Sequence, residues 1–391
     1  MSPSLGEALE VGRDLLLGRY PPFVTGGSLP RGHVPVFVFH SVEPDGFGRR
    51  LSYLAENGYA TLGADELLAV LRGEATAPDR AVVLTFDDGR GSLWSVAAPL
   101  LRRHGMRGVV FLVPGRVPSR TGPPAPTWSD VEAGRVPADA VLLREQRGAA
   151  FLSWEEIEAL ARDGVFEFQS HTLLHSRVHV APEVVDFVSP AVQEGYAAMD
   201  VPLVASEGRD LLAPEVPLGT PLLRSLPRTS EAVRFLEEPG LRAEPVRVAE
   251  EEGGARFFER PDWRGRLRAT LRGRAVAGRT ESPAEREEAL RGELAGARSL
   301  LEQRLGRRVL HLCYPWHAAG ETARRLAREA GYLTAFCGKV PGVPLTTPGG
   351  DPERIARVGE DWLELLPGRG RHRLRDVLGR KIARARRRVA R

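Results

Sequence analysis

From about residue 34 the apolar positions fall into a rhythm: short hydrophobic runs alternate with amphipathic stretches closed by glycine. Val34 to Phe39 reads as a strand ending at His40, and Arg49 to Asn57 as a helix stopped by Gly58, with Tyr59 to Leu62 following. Asp65 to Arg72 predicts a second helix. Ala81-Val82-Val83-Leu84-Thr85-Phe86 is β-branched, too short for a helix, and predicts a buried parallel strand running into Asp87-Asp88-Gly89. Ser92 to His104 predicts a helix closed by Gly105, and Val109 to Val113 a strand. Ser153 with Glu156 three residues on makes a capping box, Gly164 ends that helix, and Val165 to Phe168 leads to Ser170-His171. Ser282-Pro283-x-Glu285 opens a helix that runs to Leu305 and Gly306. A strand over Val309 to Tyr314, a helix over Glu321 to Ala330, Gly331 and a strand over Tyr332 to Phe336 complete the pattern. Strands alternating with helices imply an α/β fold with a parallel sheet, and this many units favour a closed or nearly closed (β/α) barrel.

Two segments break the rhythm. Pro114 to Ala150, rich in Pro and Gly, predicts a long loop over one mouth of the barrel. Residues 181–282 lack the repeat and predict an inserted subdomain or lid, in keeping with a chain of 391 residues that exceeds one core. The expected organisation is an N-terminal extension (1–33), the first part of the barrel (34–180), the insertion (181–282), the second part of the barrel (283–366) and a basic tail (367–391).

Composition changes this picture only at the ends. Residues 369–391 hold eleven Lys or Arg against one acid, leaving 44 basic and 50 acidic residues elsewhere, so the basic pI of about 9.4 belongs to a tail. Only Lys339 and Lys381 are lysines; that bias suits a GC-rich genome, and no nucleic-acid partner is expected. Leu374, Val377, Leu378 and Ile382 fall near helical spacing among the tail arginines, although Gly379 weakens a helix. A basic amphipathic helix makes the inner-membrane surface a candidate peripheral partner, against a solvated or frayed terminus as the plainer reading. Met1 to Tyr20 carries Glu7, Glu10 and Asp14 and no apolar h-region, so no signal peptide is expected. With Cys313 and Cys337 as the two cysteines, a reduced cytoplasmic setting is expected.

Two adjacent carboxylates at a strand end repel each other. A cation would keep both there, one as ligand and the other free as a base, whereas the plain alternative is that Asp88 caps the next helix. His171 and His175, spaced i and i+4, suit one metal but are also compatible with surface or capping histidines. His40 and Tyr314-Pro315-Trp316 follow strand ends as well. In α/β barrels the C-terminal strand ends share one face, and that face holds the active site. Four polar features at equivalent places therefore point to one site.

Thr85-Phe86-Asp87-Asp88-Gly89, then Ser170-His171-x-x-x-His175, then a strand ending in Tyr314-Pro315-Trp316, resembles the polysaccharide deacetylase (NodB-homology) family of carbohydrate esterases. The leading Val38-Phe39-His40-Ser41-Val42 is similar to the branch acting on poly-N-acetylglucosamine. The resemblance implies a deformed (β/α) barrel and a divalent metal, most often zinc, held by Asp88, His171 and His175. It also implies Asp87 as general base and the Trp316 backbone N–H as an oxyanion donor. The expected activity is metal-dependent removal of N-acetyl groups from an N-acetylated glycan or sugar precursor. Tyr314, Pro315 and His317 are expected to line the substrate, and His40 to protonate the leaving amine, against a plain buried histidine at that place.

The pattern departs from the family at three points. Cys313 stands where many members have an arginine paired with the base; Arg357 or Arg354 could replace it, though solvated surface arginines are the plainer reading. His317 replaces the glycine after the aromatic residue, and the late Leu-x-His motif is missing. These departures motivate an alternative, a catalytically weakened glycan-binding relative. A zinc protease needs Glu after the first histidine, where Thr172 stands, and the barrel rhythm and second Asp speak against a non-haem iron oxygenase. Trp128, Trp154 and Trp263 are candidate sugar platforms, Trp154 reading rather as core.

Overall fold

The computed structural model describes residues 11–118, 124–338 and 346–389. Its main sheet contains β1 (Val36–Phe39), β2 (Ala60–Thr61), β3 (Ala81–Asp88), β4 (Gly108–Leu112), β5 (Phe166–Ser170), β6 (His311–Cys313), β7 (Thr334–Phe336) and β8 (Val358–Gly359). The strand order is β7-β6-β5-β4-β3-β1-β8, with β2 along the start of β3 and every pair parallel. The two edges meet where Phe336 of β7 bridges Ile355, just before β8. Cys337 N–H donates to Ile355 O at 2.8 Å there, and Ile355 N–H to Ala335 O at 3.0 Å. The expected deformed (β/α) barrel is thus present, its seam closed by a single bridge.

Alternation along the strands separates two cores. Val36, Val83, Val109, Phe111, Cys313, Phe336 and Ile355 fill the interior, with Leu67 and Leu71 from α2 (Ala64–Leu71) in the same cluster. Phe37, Phe39, Leu84, Phe86, Val110, Phe168 and Leu312 point outward. They pack there against α1 (Pro44–Glu56), α3 (Ala98–Arg103), α4 (Trp154–Asp163) and α5 (Pro283–Leu305). Both expected capping boxes form, Ser153 with Glu156 at α4 and Ser282 with Glu285 at α5, and Gly164 and Gly306 close these helices with positive φ. α6 (Glu321–Glu329) precedes β7.

Three expectations are corrected. The single helix over Ser92 to His104 is a π turn (Leu93–Ala97) followed by α3, since Pro99 has no N–H to offer Ser95 O. The stretch after Pro114 is not all loop: short helices span Trp128–Glu132 and Asp139–Leu142. The tail forms α7 (Leu374–Val389) despite Gly379, and part of its apolar side packs on the protein. Val377 is buried, Leu374 and Leu378 pack on the outer core, and Lys381 pairs with Asp361 at 2.9 Å. Ile382 stays exposed, so this packing takes up part of the face on which a membrane contact was expected. Among the described residues no helix is long and apolar enough to cross a membrane.

Between β5 and α5 the chain builds antiparallel pairs, Arg177–Phe187 with Pro221–Pro227, Val204–Ser206 with Arg209–Leu211 and Phe235–Glu237 with Gly278–Thr280. Two small apolar cores, one around Val204 and one around Phe257, support them. Trp263 lies buried in the second, Trp154 is buried in the barrel's outer core, and Trp128 packs against that same core. Trp154 and Trp263 therefore present no open ring for a sugar, while Trp128 is half-buried.

Candidate active site

Asp87 and Asp88 end β3, and the backbone turns sharply after them. Asp88 has φ 69° and Gly89 φ 72°, and a Cβ at Gly89 would lie 2.3 Å from Leu112 Cδ1, so only glycine fits there. Thr172 (φ 63°), His175 (φ 51°), Trp316 (φ 50°) and His317 (φ 59°) are left-handed as well. Of the six non-glycine residues with positive φ among those described, five lie at this mouth, and strain of this kind collects where function needs it.

Asp88, His171 and His175 converge, their ligand atoms lying within 4.8 Å of one another. Asp88 Oδ1 is 3.6 Å from His171 Nε2 and 3.7 Å from His175 Nε2. His171 Nδ1 lies 2.7 Å from the Cys313 carbonyl oxygen; a carbonyl only accepts, so Nδ1 carries the hydrogen and Nε2 is bare. Burial lowers the pKa of both rings, to about 3 for His175, so both are neutral. His175 Nδ1 is buried without a hydrogen-bond partner among the described residues. A bare His171 nitrogen, a second imidazole nitrogen and a carboxylate oxygen facing one another make a candidate cation site. Bonds of about 2.1 Å at tetrahedral angles put zinc ligands about 3.4 Å apart, close to the spacings found here. The donor set fits a divalent metal.

Asp87 adjoins this trio, with a ligand atom within 4.8 Å of His171, but is paired with an arginine. Arg357 donates Nη1 to its Oδ1 at 2.7 Å and Nη2 to its Oδ2 at 2.8 Å, with both side chains buried. Burial opposes the charge on Asp87, but the Arg357 guanidinium, together with His171 and His40, holds the carboxyl well below the usual range. Arg357 is therefore not the solvated arginine that its sequence context suggested. It points into the barrel because Ile355 and Arg357 alternate inward with Ala356 between them, whereas Arg354 is exposed. Arg357 Nη2 also donates to Cys313 Sγ at 2.9 Å, and burial raises that thiol far above its ordinary pKa, leaving it neutral.

His40 follows β1, is exposed rather than buried, and is close enough to Asp87 and Asp88 for its charge to lower both. The Trp316 ring lies 4.0 Å from that of His175, with the Arg177 guanidinium 5.1 Å from its centre. The Trp316 backbone N–H has no acceptor among the described residues. His317 is exposed at the rim beside Gly338, where a Cβ would come within 2.5 Å of its ring. Tyr314 and Pro315 are buried, Tyr314 within the outer core, so their side chains are not offered to a substrate as expected. Two further residues shape the site unannounced by any motif. Arg90 donates Nε and Nη2 to Asp88 Oδ2 at 2.9 and 2.5 Å. Glu293 on α5 accepts from Leu174 N–H at 3.0 Å and Ser176 Oγ at 2.6 Å, pinning the loop that carries His175.

Residues 74–194, which include Asp87, Asp88, His171 and His175, match the family model described as polysaccharide deacetylase. That stretch belongs to the polysaccharide deacetylase family. Over 136 residues the chain is 29% identical to a poly-β-1,6-N-acetyl-D-glucosamine N-deacetylase of Escherichia coli (strain K12), covering 34% of this chain and 18% of that protein. A de-N-acetylase structure from Aggregatibacter actinomycetemcomitans aligns with TM-score 0.49 and 17% identity over 83% of this chain and 94% of that one. The BpsB deacetylase domain of Bordetella bronchiseptica aligns with the same score and identity over 85% and 97%. This chain spans less than a fifth of the length of the E. coli protein, 18% of it.

Proposed function

We propose that this deacetylase-family chain hydrolyses N-acetyl groups on an N-acetylated glycan or sugar precursor, with Asp88, His171 and His175 holding one divalent cation, zinc above all. The convergence of those three acceptors on one point carries the reading. When bound, the cation supplies Lewis acidity toward the amide carbonyl and toward water. Asp87, ionised and outside the ligand trio, takes the proton from the attacking water. The free Trp316 N–H donates to the oxygen that gains charge in the tetrahedral intermediate. His40, exposed at the mouth, gives the departing amine its proton, and His317 borders the substrate.

The name of the E. coli relative suggests a β-1,6-linked N-acetylglucosamine chain as substrate. Cys313 was the main motive for a weakened, glycan-binding reading. Arg357 supplies the cation that Cys313 lacks, and the active reading gains from it. Acetate release from β-1,6- and β-1,4-linked N-acetylglucosamine oligomers with added zinc tests the proposal. Asp87→Asn should slow release by about 10²–10⁴-fold; equal release from both proteins would remove Asp87 from the mechanism.

A further inference from the structure

Asp88 has two carboxylate oxygens, and the structure gives them different work. Oδ1 faces the two histidine Nε2 atoms, while Oδ2 accepts both Nε and Nη2 of Arg90.

Arg90 is itself immobilised. Its backbone bridges Phe151, and its guanidinium lies over the Tyr196 ring, 3.2 Å from the centroid. Tyr196 belongs to the segment between β5 and α5, just before the helix Ala197–Asp200. Its ring meets Phe151 edge-on at 5.5 Å, and its hydroxyl donates to Ala150 O at 3.1 Å and accepts from Ser41 Oγ at 3.4 Å. A continuous series of contacts therefore leads from the segment after the barrel's fifth strand, through Tyr196 and Arg90, to one oxygen of Asp88.

We infer that Arg90, clamped by Tyr196, is a positioning residue that keeps Asp88 to single-oxygen ligation and couples the inserted segment to the cation site. The inference rests on the cation reading above. With Oδ2 occupied, Asp88 offers one donor and the coordination position that a second oxygen would fill stays open for water or substrate. Tyr196 acts through its ring face, so the hydroxyl is secondary to the coupling.

The sign of the effect separates position from charge. A guanidinium near a dication repels it, so removal of its charge alone would tighten binding. Removal of an orienting partner weakens binding, by about 10- to 100-fold for groups that hold a ligand in place.

Zinc affinity of the full chain, measured by competition with a chromophoric chelator, and the visible spectrum of the cobalt(II) form test this without reference to turnover. Arg90→Ala should bind zinc about 10- to 100-fold more weakly, and its cobalt absorption should lose intensity as Asp88 becomes free to ligate through both oxygens. Tyr196→Ala should weaken zinc in the same direction, whereas Tyr196→Phe should match wild type. Near-ultraviolet circular dichroism checks that each variant is folded; should Arg90→Ala fail to fold, the two Tyr196 variants carry the test. Unchanged or tighter zinc binding in Arg90→Ala, or equal binding in Tyr196→Ala and wild type, would overturn the inference while the cation reading stands. A wild-type chain that binds no zinc would overturn the cation reading, and this inference with it.

Discussion

Arg357 and Asp87, 270 residues apart in the chain, form a two-bonded ion pair in the barrel interior, with side chains 0% and 3% exposed. The guanidinium also rests 5.6 Å from the Phe111 ring and donates to Thr85 Oγ1 at 3.1 Å, so its place is determined on several sides. The pair adjoins His171 and fixes the orientation of the proposed base.

Breaking this pair on one side should cost far more than removing both partners. Arg357→Met leaves a buried carboxylate uncompensated, and the chain should lose about 3–5 kcal/mol of stability. Adding Asp87→Asn to it should return most of that loss. Urea unfolding of the two single variants and the double variant measures the coupling, and additive losses would contradict it.

The pair should also show in the pH dependence of stability. The folded pKa of Asp87 lies below its ordinary value of 3.8, so the unfolded chain binds the proton more tightly. The stabilisation is therefore complete above that ordinary value and is lost as pH falls below it, through the lower folded value. The gap in thermal midpoint between wild type and the Arg357→Met/Asp87→Asn double variant should stay level down to pH of about 4 and narrow below it. A gap that closes between neutral pH and about 5 would assign it to other groups.

His40 should matter in proportion to how much the leaving group needs a proton. His40→Ala should slow amide hydrolysis by about 10²-fold or more. An aryl acetate, whose leaving group departs as an anion, should be cleaved by the variant nearly as fast as by wild type. Equal losses on both substrates would give His40 a different role.

Glu293 should act through the His175 loop. Glu293→Ala deprives the Leu174 N–H and the Ser176 hydroxyl of their acceptor, costing about 1–3 kcal/mol at a part-buried place. Zinc affinity should fall with it, while Glu293→Gln, which keeps an acceptor, should lie between. Thermal melting with and without zinc reads both effects, and an unchanged zinc-dependent shift in Glu293→Ala would contradict the role.

The strand-and-helix rhythm made the barrel legible because buried parallel strands are apolar runs and each helix carries its own stop, as at Gly164 and Gly306. Most expected strands lie within two residues of those observed, with β3 read up to its carboxylates. β8 escaped notice because two residues show no period; only its pairing with β1 makes it a strand. Arg357 lay just ahead of it, and without that strand its inward direction could not be read. The motif residues of the site, Asp87, Asp88, His171 and His175, were legible because close spacing reflects local turns. Arg90 and Glu293 were not, since their roles depend on partners brought together only by folding. Tyr314 was misjudged for a related reason: a residue beside a motif can point away from the site that the motif serves.

Metal content of the purified chain, measured by inductively coupled plasma mass spectrometry after equilibration with zinc and removal of excess, tests the central claim most directly. One zinc per wild-type chain is expected, and almost none in Asp88→Ala, His171→Ala or His175→Ala, each shown to be folded. Zinc retained in all three variants, or absent from the wild type, would contradict it.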